Sequence, residues 1–307
     1  MTNPRILALD IGGTNTAMGL LDSGCILRHG HSLPTGAEDG PRVLLERCLA
    51  WAASCGVPRP EIISIGAPNA DARSGWIQSP PNLPWGDVDL RALVGEVCPG
   101  CLAVIHNDAS AAAWGEATHG AGHGLSDFVQ LTLGTGLGGG LICDGKLVLG
   151  ARGFAGEIGH LIVHPGGRLC GCGRQGCLER YVSASGLHQT ALELGCVEPF
   201  SARSLQDDAN AGEIFALDAY RITGETLGVA LAELAAILDP AAFVISGGLA
   251  AAGELLLGPA RATMEARMLP VLRGRVELRT SAFKGAHAAL LGLAELGLAA
   301  RNLSDTP

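Results

Sequence analysis

The chain has 307 residues, 48% of them hydrophobic and only 4% aromatic, with 45 glycines, ten cysteines and a formal net charge of −9. That apolar fraction supports a large core and excludes disorder, and the acidic balance disfavours nucleic acid, whose phosphates need a basic footprint. Glycine at roughly twice its usual frequency marks tight turns and ligand loops, and the length predicts two domains or one large one.

The first 13 residues lack the basic start and long apolar stretch of a signal peptide. No apolar run reaches the ~18 residues of a membrane span; the stretch 229–238 is broken by Glu233. A cytoplasmic protein is therefore expected, its cysteines thiols or metal ligands rather than disulfides. Residues 5–10 read as a buried strand ending in a carboxylate, and 16–21 and 25–33 complete a three-strand meander. Val43, Leu44, Arg47, Cys48 and Trp51 give 41–54 helical spacing. A strand at 61–65, a loop at 71–85, a helix at 87–97, a strand at 102–105 and an Ala-rich helix at 109–118 follow. The pattern then restarts with strands at 128–133, 141–143 and 146–149. A Gly/Cys/His-rich segment spans 150–180. Helices near 183–194, 202–208 and 211–237, a strand at 242–245, a helix at 251–268, a strand at 276–280 and a helix at 285–301 complete the chain. A strand–glycine-turn–strand unit opens each half, which predicts two related α/β domains with a cleft between them.

Four motifs carry chemistry. In Asp10-Ile11-Gly12-Gly13-Thr14-Asn15 the glycines let backbone N–H groups approach phosphate oxygens, and the strand-end carboxylate suits a Mg²⁺-bound water. The ordinary reading is a hairpin turn. Gly134-Thr135-Gly136-Leu137-Gly138-Gly139-Gly140 fits the G-x-G-x-x-G dinucleotide pattern, but a β-like run follows it where a helix is required. A second phosphate turn is expected instead. Residues 140–146 start like a P-loop, but Leu147 stands where Ser or Thr is needed. Asn107-Asp108 follows a buried strand, where a carboxylate can accept the proton of an attacking hydroxyl; an Asp before an Ala-rich helix is equally a cap. Finally, Cys170, Cys172 and Cys177 with one histidine make a tetrahedral metal knuckle. His160 and His164 both qualify as its fourth ligand on spacing. Glu157, His160 and Glu179, with Asn82 and Asn107, supply the partners that sugar hydroxyls need.

Together these residues resemble the ROK family of sugar kinases and sugar-responsive repressors. The matching stretches are LDIGGTN (9–15), GAP (66–68), SPPNLPW (79–85), NDASAAAWGE (107–116), LGTGLGGG (133–140), GFAGEIGH (153–160), CGCGRQGCLE (170–179) and SGGL (246–249). Motif order and the PNLPW segment are most similar to the bacterial glucokinases of that family. The resemblance implies a two-lobed actin/hexokinase-like (ribonuclease H-like) α/β fold, with residues 1–117 plus 288–307 as the small lobe and 118–287 as the large one. It implies ATP-dependent phosphorylation of a hexose 6-hydroxyl, glucose foremost, with Asp108 as base. Asn82, Asn107, Asp108, Glu157, His160 and Glu179 would hold the sugar. Asp10, Gly12, Gly13, Thr14, Asn15, Gly134, Thr135, Gly136, Gly247 and Gly248 would hold the nucleotide. Structural Zn²⁺ would sit on His160, Cys170, Cys172 and Cys177, motif position selecting His160, and Mg²⁺ would accompany ATP. A homodimer or homotetramer is expected, with no nucleic-acid or membrane partner. Two departures stand out: Ser110 replaces the Asn usual in N-D-A-N, and Asn69 follows GAP where Gly is common. A repressor needs a helix-turn-helix ahead of the sugar module, and a zinc-ribbon binding module would not need two phosphate turns and Asp108, so an enzyme is expected. The seven cysteines outside the knuckle are expected to be ordinary buried thiols.

Overall fold

The structure is a computed structural model that describes residues 5–197 and 200–304. Strands β1 (Ile6–Ile11), β2 (Asn15–Leu21) and β3 (Leu27–Pro34) form the meander. Helix α1 (Gly40–Ser54), β4 (Ile62–Gly66), a small pair β5 (Trp76–Ile77) and β6 (Val88–Asp89), α2 (Leu90–Val97), β7 (Leu102–His106) and α3 (Asp108–His119) follow. The second half carries β8 (Phe128–Leu133), β9 (Leu137–Cys143), β10 (Lys146–Leu147), α4 (Ala184–Glu193), α5 (Ala202–Ala211), α6 (Ile214–Leu238), β11 (Ala242–Ser246), α7 (Glu254–Arg267), β12 (Glu277–Thr280) and α8 (His287–Ser304). The sheet orders, β3-β2-β1-β4-β7 and β10-β9-β8-β11-β12, are the same topology twice. In each, an antiparallel meander is extended by two parallel strands. The chain is thus a duplicated α/β unit with two lobes. Among the described residues no helix is long and apolar enough to cross a membrane.

The period of two in β1 decides what covers each face of the first sheet. Leu7, Leu9 and Ile11 pack with Leu44 and Leu45 of α1 and with Leu90 and Val94 of α2, whereas Ile6 and Ala8 pack with Leu290, Leu293 and Ala294 of α8. Each fully buried leucine contributes about 2 kcal/mol. In the second sheet Val129, Leu131 and Leu133 face the core under α6 and α7, while Phe128, Ile142 and Val244 meet Trp114 and Ala117 of α3. Helix α3 therefore joins the lobes, packed on both α8 and β9. Its crossing with α8 is close because Gly115 and Gly292 have no side chains there. A methyl at Gly115 would land on the carbonyl of Ala288, and one at Gly292 on that of Ala111. Gly292→Ala is expected to destabilise the protein by about 2–3 kcal/mol through this overpacking. The check is thermal denaturation, where an unchanged melting temperature would show that the crossing has slack.

Several expectations are corrected. Gly138, Gly139 and Gly140 are not loop residues but strand β9, which starts at Leu137. Added Cβ atoms at Gly138 and Gly140 would strike Ala109 and Ala113, so these glycines let α3 lie directly on the sheet. The 71–85 stretch is not all loop, because Trp76–Ile77 pairs with Val88–Asp89. That pairing delays α2 to Leu90, with Asp89 as its cap, accepting from the Ala92 N–H at 2.9 Å. Gly253, at φ 57°, likewise delays α7 to Glu254. The cysteines are not all free. Cys98 and Cys101 are joined by a disulfide across Pro99-Gly100, because the turn, with Gly100 at φ 86°, folds the second sulfur back on the first. Cys25 and Cys48 are the buried thiols expected, but Cys55 and Cys196 are part-exposed and Cys143 is exposed, since they sit at a helix end, a loop and a strand end.

Candidate active site

The small lobe brings its polar groups to one edge of the sheet. In the parallel register Asp10 lies beside Gly66, and Gly66 beside His106. Asp10, the Gly-Ala-Pro turn and Asn107-Asp108 therefore emerge together at the carboxyl ends of β1, β4 and β7, where such sheets place ligands. Gly66 backs directly onto Asp108, a Cβ there lying 3.4 Å from the Asp108 Cα. The cap of α3 is Asn107 rather than Asp108: Asn107 Oδ1 accepts the Ser110 N–H at 3.0 Å. Asp108 accepts the N–H of Ala109 at 2.8 Å through one oxygen. Burial raises the Asp108 carboxyl above the ordinary carboxylate range. Asp10 is pushed up to about 7, first by burial and then by the charge of Asp108.

The first phosphate turn is held by its own backbone and by Thr35. The Gly12 N–H donates to Asn15 O at 3.0 Å, and Thr35 donates its N–H to Thr14 O and its hydroxyl to Gly12 O. Gly13 abuts Asn82, a Cβ on it lying 2.7 Å from the Asn82 Cβ. The fold thus sets the PNLPW segment against the turn. Asn69 takes a left-handed conformation, φ 54°, and its amide donates to the carbonyls of Gln78 and Ser79 at 3.0 and 3.3 Å. Asn is among the non-glycine residues that tolerate this region best, so the departure from Gly preserves the backbone path and adds two bonds. The other departure, Ser110, is buried with its hydroxyl unpaired.

The large lobe supplies the second phosphate turn and the knuckle, and Glu179 ties them together. Its Oε2 accepts the Leu137 N–H at 2.9 Å, and a Cβ on Gly136 would lie 2.5 Å from the same oxygen. The Gly134–Gly136 turn is further docked on the start of α4: Ala184 N–H donates to Gly134 O at 2.8 Å, and the Ser185 hydroxyl to Thr135 O at 3.2 Å. Gly247, at φ 92°, presses on the Leu133 carbonyl, which brings Gly247-Gly248 beside the turn. Glu157 is raised by burial and by the charges of Asp108 and Glu179, against the lowering effect of His160. That electrostatic coupling spans both lobes, so Asp10, Asp108, Glu157, His160 and Glu179 share one site.

The ligand atoms of His160, Cys170, Cys172 and Cys177 all lie within 4.8 Å of one another. His160 Nδ1 is 3.7 Å from Cys170 Sγ, and Cys172 Sγ is 3.7 Å from Cys177 Sγ. A tetrahedral ion with metal–sulfur bonds near 2.3 Å has ligand–ligand edges of roughly 3.8 Å, so the four fit such an ion. The other ring nitrogen of His160, Nε2, faces Glu157 Oε2 at 3.9 Å. His164 is turned away. Its ring lies on Tyr181, centroids 4.4 Å apart, and its carbonyl packs against Gly176. This agrees with the choice of His160.

Arg168 was not singled out in the sequence. Its guanidinium donates to Arg180 O, Gly186 O, Thr190 Oγ1 and Glu193, and stacks 4.5 Å over Tyr181. It braces the knuckle against α4. His106, whose pKa burial lowers to about 4, was also missed, because a strand-end His carries no pattern.

A carboxyl held above its ordinary value favours the protonated fold, so Asp10 weakens the protein as pH rises from about 4 to about 7 and fully above that. Asp10→Asn should therefore melt higher than the unmodified chain at pH 8, with the gain gone near pH 4. Equal melting curves at pH 8 would contradict the burial assigned to this group.

Comparisons with known proteins point to one family. A Streptomyces coelicolor protein named glucokinase is 35% identical over 274 residues, 83% of this chain and 85% of that one. The N-acetylmannosamine kinase of Salmonella typhi is 34% identical over 250 residues, 78% and 82% of the two chains. The crystal structure of a ROK family glucokinase from Streptomyces griseus in complex with glucose and AMPPNP superposes with a TM-score of 0.83 at 33% identity, covering 95% of this chain and 98% of that one. The ROK family matches residues 6–300. With that match over nearly its whole length, and with relatives of this identity, the chain belongs to the ROK family.

Proposed function

We propose that this protein is a glucokinase, a hexokinase-type phosphotransferase that moves the γ-phosphoryl group of ATP to the 6-hydroxyl of glucose. The observation that carries the reading is the placement of Asp108. Burial raises its carboxyl, it lies beside Gly66 at the sheet edge that carries Asp10, and its charge acts on Glu157 of the large lobe.

Asp108 accepts the 6-hydroxyl proton as that oxygen bonds to the γ-phosphorus and the bond to the β-phosphate oxygen breaks, leaving ADP. Asn82, Asn107, Glu157, His160 and Glu179 hold the remaining hydroxyls. The turns Gly12–Asn15 and Gly134–Gly136 direct backbone N–H groups at the phosphates, and Gly247-Gly248 borders the adenosine. Phosphoryl transfer is mostly positioning and charge neutralisation, so these residues suffice for it. Asp10 stands where it would help to hold Mg²⁺ with ATP, and that ion would supply charge neutralisation on the phosphates. One imidazole and three thiolates suit Zn²⁺, which His160, Cys170, Cys172 and Cys177 would hold as a structural centre. His160 would then give one ring nitrogen to the metal and the other to the sugar side.

The lobes are residues 1–117 with 288–307 and residues 118–287, and their closure excludes water. Such an enzyme works in the cytoplasm, where ATP is available. Exposed Ile214 and Ile237 on α6, each 75% exposed, support self-association into dimers or tetramers, which sedimentation would measure. The deciding test is a coupled assay of purified protein on glucose, mannose, fructose, N-acetylglucosamine and N-acetylmannosamine, with ATP, ADP and polyphosphate as donors. Glucose with ATP is expected to be fastest. A preference for N-acetylmannosamine would move the chain to the other named relatives, and no product with any pair would overturn the reading.

A further inference from the structure

Besides the α3–α8 crossing, residues 71–75 meet residues 151–153. The turn at residues 71–75 of the small lobe is built stiffly. Asp71 accepts the Arg73 N–H at 2.9 Å and the Ser74 hydroxyl at 2.7 Å, and its carbonyl accepts the Gly75 N–H at 2.8 Å. Arg91 of α2 adds a brace, donating to the carbonyls of Ala72, Arg73 and Ser74 at 3.0–3.1 Å. A turn held this way presents the Arg73 side chain in one direction. That direction is across the cleft: Arg73 Nη1 donates to the carbonyl of Ala151 in the large lobe at 2.7 Å.

The backbones also meet there. Gly153, at φ 83°, lies against Asp71, and a Cβ on it would come within 3.2 Å of the Asp71 Cα. The segment 150–156 that receives the turn leads straight into Glu157. On the small-lobe side, the turn sits between Asn69 and Asn82. Both approaches therefore lead in sequence to residues of the sugar set, Glu157 on one side and Asn82 on the other.

We infer that Arg73 is a positioning residue for the hexose: its bond to Ala151 latches the lobes at the sugar end of the cleft and holds Glu157 toward the substrate. The latch rests on the hexokinase reading above. It touches neither the reacting atoms nor the nucleotide turns. Its loss therefore weakens the complexes of the hexose before and during transfer alike, which appears in KM and not in kcat. One hydrogen bond of ordinary strength corresponds to about a five-fold change.

The test is steady-state kinetics of the zinc- and magnesium-supplied enzyme as Arg73→Ala and Arg73→Lys, with melting temperature measured alongside. Arg73→Ala is expected to raise the KM for glucose about five-fold, with kcat within two-fold, the KM for ATP unchanged and the melting temperature preserved, because Arg73 is exposed. Arg73→Lys, which keeps a cationic donor, should recover most of the loss. An unchanged glucose KM in Arg73→Ala would overturn the latch while leaving the kinase reading intact, as would an equal rise in the KM for both substrates. If the unmodified chain phosphorylates no hexose, the underlying reading fails first and the latch with it.

Discussion

Asp108→Asn is expected to lower kcat by roughly 10²–10⁴ while glucose still binds, because the substitution removes the proton acceptor and keeps the shape of the site. The amide preserves an oxygen for the Ala109 N–H, and Asn107 continues to cap α3. Fold and sugar affinity should therefore change little. The same substitution removes the charge that helps to raise Asp10, whose pKa should fall from about 7 toward the ordinary range. Calorimetric titration with glucose and a coupled assay separate the two effects. Turnover within ten-fold of the unmodified enzyme would mean that another group takes the proton.

Cys172→Ser should lose the knuckle metal and hexose affinity together, with a KM for glucose higher by about ten-fold or more. Replacing one of three thiolates leaves a poor site for zinc, and without the ion the His160 ring would lose the bond that orients it. The loss should extend to the second phosphate turn through Glu179, whose Oε2 holds the Leu137 N–H and whose Oε1 lies 4.0 Å from Cys170 Sγ. Metal content measured by mass spectrometry, beside glucose and ATP titrations, tests this. Unaltered glucose binding in a metal-free variant would refute the coupling of knuckle and sugar site.

Much of this site was legible in the sequence because its parts are local. A carboxylate and two glycines between strands, an Asn-Asp pair before a helix, and three cysteines in eight residues with a nearby histidine each announce a chemistry within a short stretch. The misreadings were of a different kind. The run Gly138–Gly140 looked like ligand loop, but Gly138 and Gly140 serve the approach of α3, and Gly139 that of Gly156 and Ile158. Asp108 could on sequence be a cap as well as a base, whereas in the structure Asn107 takes the capping task. The disulfide at Cys98–Cys101 was not expected, since compartment argued for thiols and only the turn geometry brings the sulfurs together. Arg73 and Arg91 act through backbone carbonyls, and a carbonyl partner leaves no mark on sequence.

The sequence by itself determined the class of fold, the repetition of the meander in each half, and the residue types able to hold phosphate, sugar and metal. Periodicity and short-range turn chemistry are sufficient for that, because both are set by neighbouring residues. The tertiary structure alone decided which groups come together. Parallel pairing of β1, β4 and β7 aligns Asp10 with Asp108, and Glu179 spans from the knuckle to the second phosphate turn. Packing turned His164 onto Tyr181 and left His160 with the cysteines. These are contacts between residues far apart in the chain, and their energies depend on burial and distance that no local pattern encodes.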